Sequence, residues 1–229
     1  MIILTAGHTG PNTGAQCATT QFDEGAENIW LRNRVAEILT NKYGLVVLMD
    51  DDRASLKLLT QTLTEDLSLT ELTENTEDAV ASPAILSPTD DTDDSDFNSS
   101  FSLMRSLASQ EVARRIDTDF VIDLHFNAHS NPNARGTETI VSDDATELEL
   151  RMASRLAHAT ADALDIPLRC IKSESETPHH RLAMLHLTPQ SIILEVCFCT
   201  SPEDVEAYRN NREKLAADLA KNIAELATN

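Results

Sequence analysis

The chain has 229 residues, with 38 Asp and Glu against 18 Lys and Arg, for a formal net charge of -20. A surface this negative repels phosphate backbones and anionic lipid, which argues against nucleic-acid and membrane-surface partners. No run of about 18 apolar residues is present to span a bilayer. Four cysteines without a CxxC pair are too few for a disulfide scaffold. The 41% hydrophobic content still allows a sizeable core, and the length suits one domain over residues 1–229. The first ten residues, MIILTAGHTG, lack both a basic stretch before an apolar one and a small-residue cleavage site. They do not read as a secretory signal, so synthesis in the cytoplasm is expected.

The elements alternate. Residues 2–6 form a short apolar run ending in Gly7, as in a buried strand. Residues 27–42 carry Ile29, Leu31, Val35, Ile38 and Leu39 at helical spacing and stop near Gly44. A second strand is expected at 45–49. An acidic, low-complexity insertion follows at about 53–100, expected to be solvated, with a weak helix around Leu63 to Leu72 at most. Its run Asp90, Asp91, Asp93, Asp94, Asp96 lacks the Gly and closing Glu of a calcium loop. Beyond it the pattern predicts a helix at 101–116, strands at 120–126 and 138–141, and a helix at 147–164. A buried strand at 192–198 and a helix at 202–226, broken near Asn210, complete the chain. This alternation predicts an α/β fold. It would be a three-layer α/β/α sandwich on a twisted, mixed, largely parallel sheet of about six strands.

Open α/β sheets build their sites at strand ends. His8 ends the first strand within AGHTGPNTGAQC, where Gly7, Gly10 and Gly14 keep the following loop tight. In DLHFNAH, the two-residue strand period puts Asp123, His125 and Asn127 on one face. In SIILEVCF, Glu195 interrupts an apolar strand, and burying such a carboxylate is costly without a partner. Two imidazoles and a carboxylate suit a hydrolytic zinc ion with an open position, whose bound water ionises near neutral pH. His8, Glu24 and His125 are the candidate ligands of one zinc ion. Glu195 is the candidate general base, passing a proton to a leaving amine. Asp23 and Glu27 compete with Glu24, since acids at a helix start are favoured by the dipole alone.

These segments resemble the zinc-dependent N-acetylmuramoyl-L-alanine amidase family. Gly7, His8, Gly10, Gly14 and Ala15 fit its first motif, and Glu24 with Asn28 its second. Asp123, His125, Asn127 and Ala128 fit the third except that Asp123 stands where the family has Ser. Gly136, Thr137 and Glu138 follow, and Glu195 and Phe198 with Ser201, Glu203 and Asp204 fit the last. Cys197 replaces a Gly, and Thr9 replaces a second Gly beside His8. The likeness covers nearly the whole chain outside about residues 53–100. It implies a zinc carboxypeptidase-like (phosphorylase/hydrolase-like) catalytic amidase domain, with zinc on His8, Glu24 and His125 and with Glu195 as base. The substrate would be peptidoglycan, cut between N-acetylmuramic acid and L-alanine. With no leader and no wall-binding module in view, a phage lysis enzyme is expected, monomeric, reaching the wall after release; the alternative is a bacterial cell-wall remodelling enzyme exported by an unusual route. The alternatives are a same-fold zinc amidohydrolase or peptidase acting on another acyl-amino acid or peptide, and a wall-binding relative without turnover.

Other polar residues have ordinary readings beside functional ones. His129 is a possible substitute ligand, and His179 and His180 read as an exposed loop pair. Arg181 is a candidate for holding a substrate carboxylate. Asn127 is expected to orient His125 or the substrate. Alternation places Cys197 and Cys199 on the face of Glu195, although small buried thiols are the commoner case. His158 and His186 carry no motif.

Overall fold

A computed structural model describes residues 2–8, 14–50, 120–131, 133–178, 180–186, 188 and 190–228. The acidic insertion, its aspartate run, the helix expected at 101–116, and Thr9, Gly10 and His179 lie outside the described residues.

The strands are β1 (Ile2–Ala6), β2 (Gln16–Cys17), β3 (Phe22–Asp23), β4 (Val47–Met49), β5 (Phe120–Asn127), β6 (Thr137–Val141), β7 (Leu168–Ser173) and β8 (Ser191–Phe198). The helices are α1 (Glu24–Tyr43), α2 (Glu147–Leu164) and α3 (Pro202–Ala227). Six strands form one sheet in the order β4-β1-β5-β8-β6-β7, and β2 pairs with β3 in a small antiparallel ribbon. The sheet is mixed and mostly parallel: β4, β1, β5 and β8 run together, while β6 pairs antiparallel with β8 and parallel with β7.

Strand alternation sorts the two faces of the sheet. Ile2 and Leu4 of β1, Ile122, Leu124 and Phe126 of β5, and Ile192, Leu194 and Val196 of β8 enter one core. The same core takes Leu31, Val35 and Leu39 of α1, Met152 and Leu156 of α2, and Leu215 and Leu219 of α3. The three described α-helices therefore share one face. Burying a Leu or Ile side chain contributes about 1.5–3 kcal/mol, so this face carries most of the apolar driving force. On the opposite face Ile140 and Ile193 pack with Leu185 and Leu182 in a smaller cluster. Thr5, Asp123, His125, Glu138 and Glu195 alternate with the helix-facing residues, which puts the polar rows on that second face.

Helix ends follow their residues. Asp23 caps α1 by accepting from Ala26 N, and Gly44 closes it in the left-handed conformation at φ 67°. Thr146 and Glu149 form a reciprocal capping box on α2. Ser201 caps α3 through Asp204 N.

Four features depart from the sequence expectations. Helix α3 runs unbroken through Asn210, with Tyr208 and Leu215 fully buried on either side of that turn. Packing of its apolar stripe outweighs the weak helix propensity of two adjacent asparagines. Helix α1 begins at Glu24, one turn before its apolar periodicity. Strand β7 and the β2–β3 ribbon have no apolar signature and were not expected. The last departure is at the end of β8, where His125 pairs with Glu195 but Asn127 pairs with Phe198. That bulge breaks the alternation. Cys197 falls into the helix-side core rather than beside Glu195, with its thiol toward Asp204 O at 4.0 Å.

Candidate active site

The site forms where β1 and β5 end, beside α1. Glu24 is the first residue of α1, 3% exposed, with its carboxylate turned inward. Its Oε2 accepts from Ala15 N at 2.7 Å and its Oε1 from Phe126 N at 3.0 Å. Its two acidic neighbours do other work. Asp23 caps the helix, and Glu27 accepts from Tyr208 Oη at 3.1 Å and Arg212 Nη1 at 3.0 Å. Glu24 Oε1 lies 3.8 Å from His8 Nε2 and 3.5 Å from His125 Nδ1.

Among the described residues, His8, Glu24 and His125 are the group able to hold a metal ion, with ligand atoms all within 4.8 Å of one another. Ligand atoms around a tetrahedral zinc ion stand about 3.4 Å apart, so the separations from Glu24 come near the requirement. The backbone is shaped to allow this. A Cβ on Gly7 would stand 1.9 Å from His125 Nε2. A Cβ on Gly14, at φ +72°, would stand 2.5 Å from His8 Cδ2 and 2.6 Å from Glu24 Oε2. Any larger residue displaces His125 at Gly7, or His8 and Glu24 at Gly14.

Asp123 orients His125. Its Oδ2 lies 3.1 Å from His125 Nε2 and its Oδ1 accepts from Thr5 Oγ1 at 2.7 Å. With Nε2 committed to Asp123, Nδ1 is the nitrogen left facing Glu24. A carboxylate behind a ligating imidazole fixes ring and tautomer together. Burial pushes the His125 pKa down, but Asp123, Glu24 and Glu195 more than reverse that and hold it well above the usual imidazole range. Burial likewise raises Glu24, and His125, His8 and the Ala15 amide overcome it, leaving the carboxyl below its ordinary value.

Glu195 sits opposite His125 in register. Its Oε2 is shut off from solvent with no hydrogen-bond partner. Burial, against the pull of His125 and with repulsion from Glu24, Glu138 and Asp123, pushes its pKa up to about 7. A carboxyl poised there exchanges protons efficiently near neutrality.

On the other side of β8, Glu138 pairs in register with Glu195. It is 2% exposed and fully engaged. Oε1 accepts from Asn127 Nδ2 at 2.7 Å and Lys172 Nζ at 2.6 Å, and Oε2 accepts from Arg169 Nε at 2.8 Å. Asn127 therefore serves Glu138, and the residue that orients His125 is Asp123. Sequence reasoning gave no role to Asp123, Arg169 or Lys172. The Asp in place of Ser was the one available signal.

The remaining candidates do other things. His129 is exposed, with its Nδ1 accepting from Asn131 N at 2.9 Å. His186 pairs with Glu174 at 2.9 Å, and His158 Nδ1 lies 2.7 Å from Ser154 O. His180 is exposed at φ 57°, and Arg181 is exposed. The Cys199 thiol lies against Cys17, and burial raises its pKa. Asp204 ties the region together, accepting from Gly136 N, Phe198 N and Arg135 Nε at 2.7, 3.2 and 3.0 Å. No helix among the described residues is long and apolar enough to cross a membrane.

Comparisons with known proteins speak to the fold and the family. The profile of the N-acetylmuramoyl-L-alanine amidase family matches residues 2–226. No curated protein sequence matches the chain. Among solved structures, the CwlD amidase of Clostridioides difficile, determined with the GerS lipoprotein, is similar at TM-score 0.64 and 13% identity, over 99% of this chain and 98% of that one. The amidase Ami1 of Mycobacterium smegmatis gives TM-score 0.59 at 14% identity, over 100% and 98%. The catalytic domain of the CD27L endolysin targeting Clostridia difficile gives TM-score 0.56 at 17% identity, over 98% and 96%. At these identities the structural likeness speaks for the fold, and the family follows from the profile, which spans almost every residue: the chain belongs to the N-acetylmuramoyl-L-alanine amidase family.

Proposed function

We propose that this peptidoglycan amidase holds one zinc ion on His8, Glu24 and His125 and uses Glu195 as its proton carrier. The observation that carries the reading is the convergence of two imidazoles and one carboxylate beside a second carboxylate whose buried Oε2 has no hydrogen-bond partner. Two nitrogen ligands and one oxygen ligand suit zinc, and Gly7 and Gly14 leave the room those ligands need. When bound, zinc supplies a Lewis acid for the scissile carbonyl and a means of ionising water near neutral pH. Asp123 holds His125 in the tautomer that leaves Nδ1 free. Glu195 takes the proton of the attacking water on its buried carboxylate and delivers it to the departing L-alanine nitrogen.

The same proposal includes where the protein works. It is made in the cytoplasm, acts as a monomer, and reaches the wall after release, as a phage lysis enzyme does. The similarity to an endolysin catalytic domain supports the lysis role alone.

The test is digestion of purified sacculi by the zinc-loaded protein, with mass spectrometry of the products and metal analysis of the enzyme. Released peptides beginning with a free L-alanine amine, and about one zinc per chain, are expected. Cleavage at another bond, or full activity in metal-stripped protein, overturns the reading.

A further inference from the structure

Beyond the ligands and Glu195, a second cluster meets the same sheet face. Glu138 sits beside Glu195 in register and binds two cations, Arg169 and Lys172, where one suffices for its charge. The cluster carries a surplus positive charge in a chain of net charge -20. Both cations come from edge strand β7, three residues apart, and regular alternation would send them to opposite faces. A bulge prevents this. Thr137 pairs with Leu168 and Thr139 with Ile171, so three residues of β7 stand against two of β6. Bulges of this kind re-aim side chains beside active sites.

The two side chains retain donors for a ligand. Arg169 is 37% exposed and Lys172 30% exposed. The Arg169 Cζ stands over the Phe198 ring, 4.9 Å from its centroid, with Nε on Glu138 and Nη1 on Arg135 O at 3.2 Å. Among the described residues the Arg169 Nη2 makes no hydrogen bond. Lys172 uses one bond to Glu138, and an ammonium carries three hydrogens. An immobilised guanidinium beside an ammonium is suited to a carboxylate.

Resting on the amidase reading above, we infer that Arg169 and Lys172 bind a free carboxylate of the leaving peptide. The charged ends of Arg169 and Lys172 reach back from β7 to Glu138 on β6, which puts them between one and two strand spacings from β8, about 5–10 Å. An extended peptide spans about 3.3–3.6 Å per residue, so the group reaching them belongs to the second or third residue after the scissile bond. A γ-linked glutamate at the second position leaves its α-carboxyl free there, and amidation removes that charge. The cluster thus selects stems that are not amidated.

The experiment uses two muramoyl-peptides that differ only in a free or amidated α-carboxyl on the second residue, and the two corresponding free peptides as binding probes. The zinc-loaded wild type is expected to favour the acid by about tenfold in kcat/KM, mainly through KM, since a charge-assisted pair is worth about 1.5 kcal/mol. The free acid peptide should bind better by a similar factor in calorimetry. Lys172→Met should lose both preferences and Lys172→Arg should keep them, which separates charge from packing. Turnover with equal kcat/KM for acid and amide, or a preference retained in Lys172→Met, overturns the inference and leaves the amidase reading standing. Absence of turnover on both substrates, with the binding preference intact and lost in Lys172→Met, overturns the amidase reading and upholds the carboxylate site.

Discussion

Glu195 and Glu138 are the same residue type, on adjacent strands, paired in register and facing the same way. Their surroundings make them chemical opposites. Glu138 receives four side-chain donors, from Asn127, Lys172, Arg169 and the Cys170 thiol, two of them cationic, and although burial raises its pKa, Lys172 and Arg169 outweigh that and hold it below the ordinary value. Glu195 Oε2 receives none, and its pKa rises to about 7. Supply of donors, more than depth, decides whether a carboxylate in this sheet is a fixed anion or a proton carrier. One strand spacing, from β6 to β8, separates structural acid from working acid, and each can be pushed toward the other by single changes.

The largest effect is expected from Glu195→Gln, which keeps the shape and removes the base. Turnover on peptidoglycan should fall by about two to four decades, the usual contribution of a positioned acid–base group. Zinc content should be unchanged, because Glu195 is not in the ligand set. Wild-type turnover in this variant would remove Glu195 from the chemistry.

The next effect is on stability in the metal-free protein. Glu195 has a folded pKa of about 7 against an ordinary 4.5, so the folded state holds a proton that the unfolded chain releases earlier. Its contribution is complete below pH 4.5 and is lost as pH rises through 7. A shift of this size corresponds to about 3 kcal/mol at most. Chemical denaturation of the metal-free protein should therefore show wild type losing more stability than Glu195→Gln between pH 5 and 8. Parallel pH profiles for the two proteins would show that the carboxylate is not held in the unpartnered state described here.

The opposite change is Glu138→Gln, which strips the saturated acid of its charge and leaves Arg169 and Lys172 without their counterion. Both cations retain access to water, so the expected loss is about 2 kcal/mol, below the 3–5 kcal/mol for breaking a fully buried pair. The urea midpoint measures it directly. No change in midpoint would mean that the two cations need no anion at this edge.

The contrast also marks what the sequence could carry. Strands at 2–6 and 120–126 and the helix at 147–164 were legible because their burial is continuous or strictly periodic. The candidate ligands and Glu195 were named from motif order, and the structure sets Glu24 apart from its acidic neighbours, since Asp23 caps the helix and Glu27 pairs with Arg212. The Glu138 cluster was hidden for a physical reason. Its cations lie on β7, an exposed edge whose residues show no apolar alternation, and they reach one face only through a bulge. The bulge at Glu195 hid the fate of Cys197 in the same way. Register shifts depend on pairing between distant segments, and a local pattern does not encode them.

Asp123 gives the smallest and most particular test, because here the chain departs from the family it resembles, which has Ser at this position. The Asp123 carboxylate is tied to Thr5 Oγ1 on one side and to His125 Nε2 on the other. Its negative charge makes the imidazole more basic, which strengthens metal binding at high pH and strengthens proton competition at low pH. Asp123→Ser restores the family residue and removes the charge while keeping a hydroxyl on the strand. Zinc affinity by chelator competition at pH 8 should fall about tenfold, the low end for loss of such a partner, since Glu24 Oε1 still lies 3.5 Å from Nδ1. Because Asp123 helps to hold His125 well above the usual imidazole range, zinc binding to wild type near neutral pH should also release a proton that the variant does not. Calorimetry in buffers of different ionisation enthalpy separates the two. An unchanged affinity with unchanged proton release would mean that the Asp123 carboxylate only fills space behind the ring.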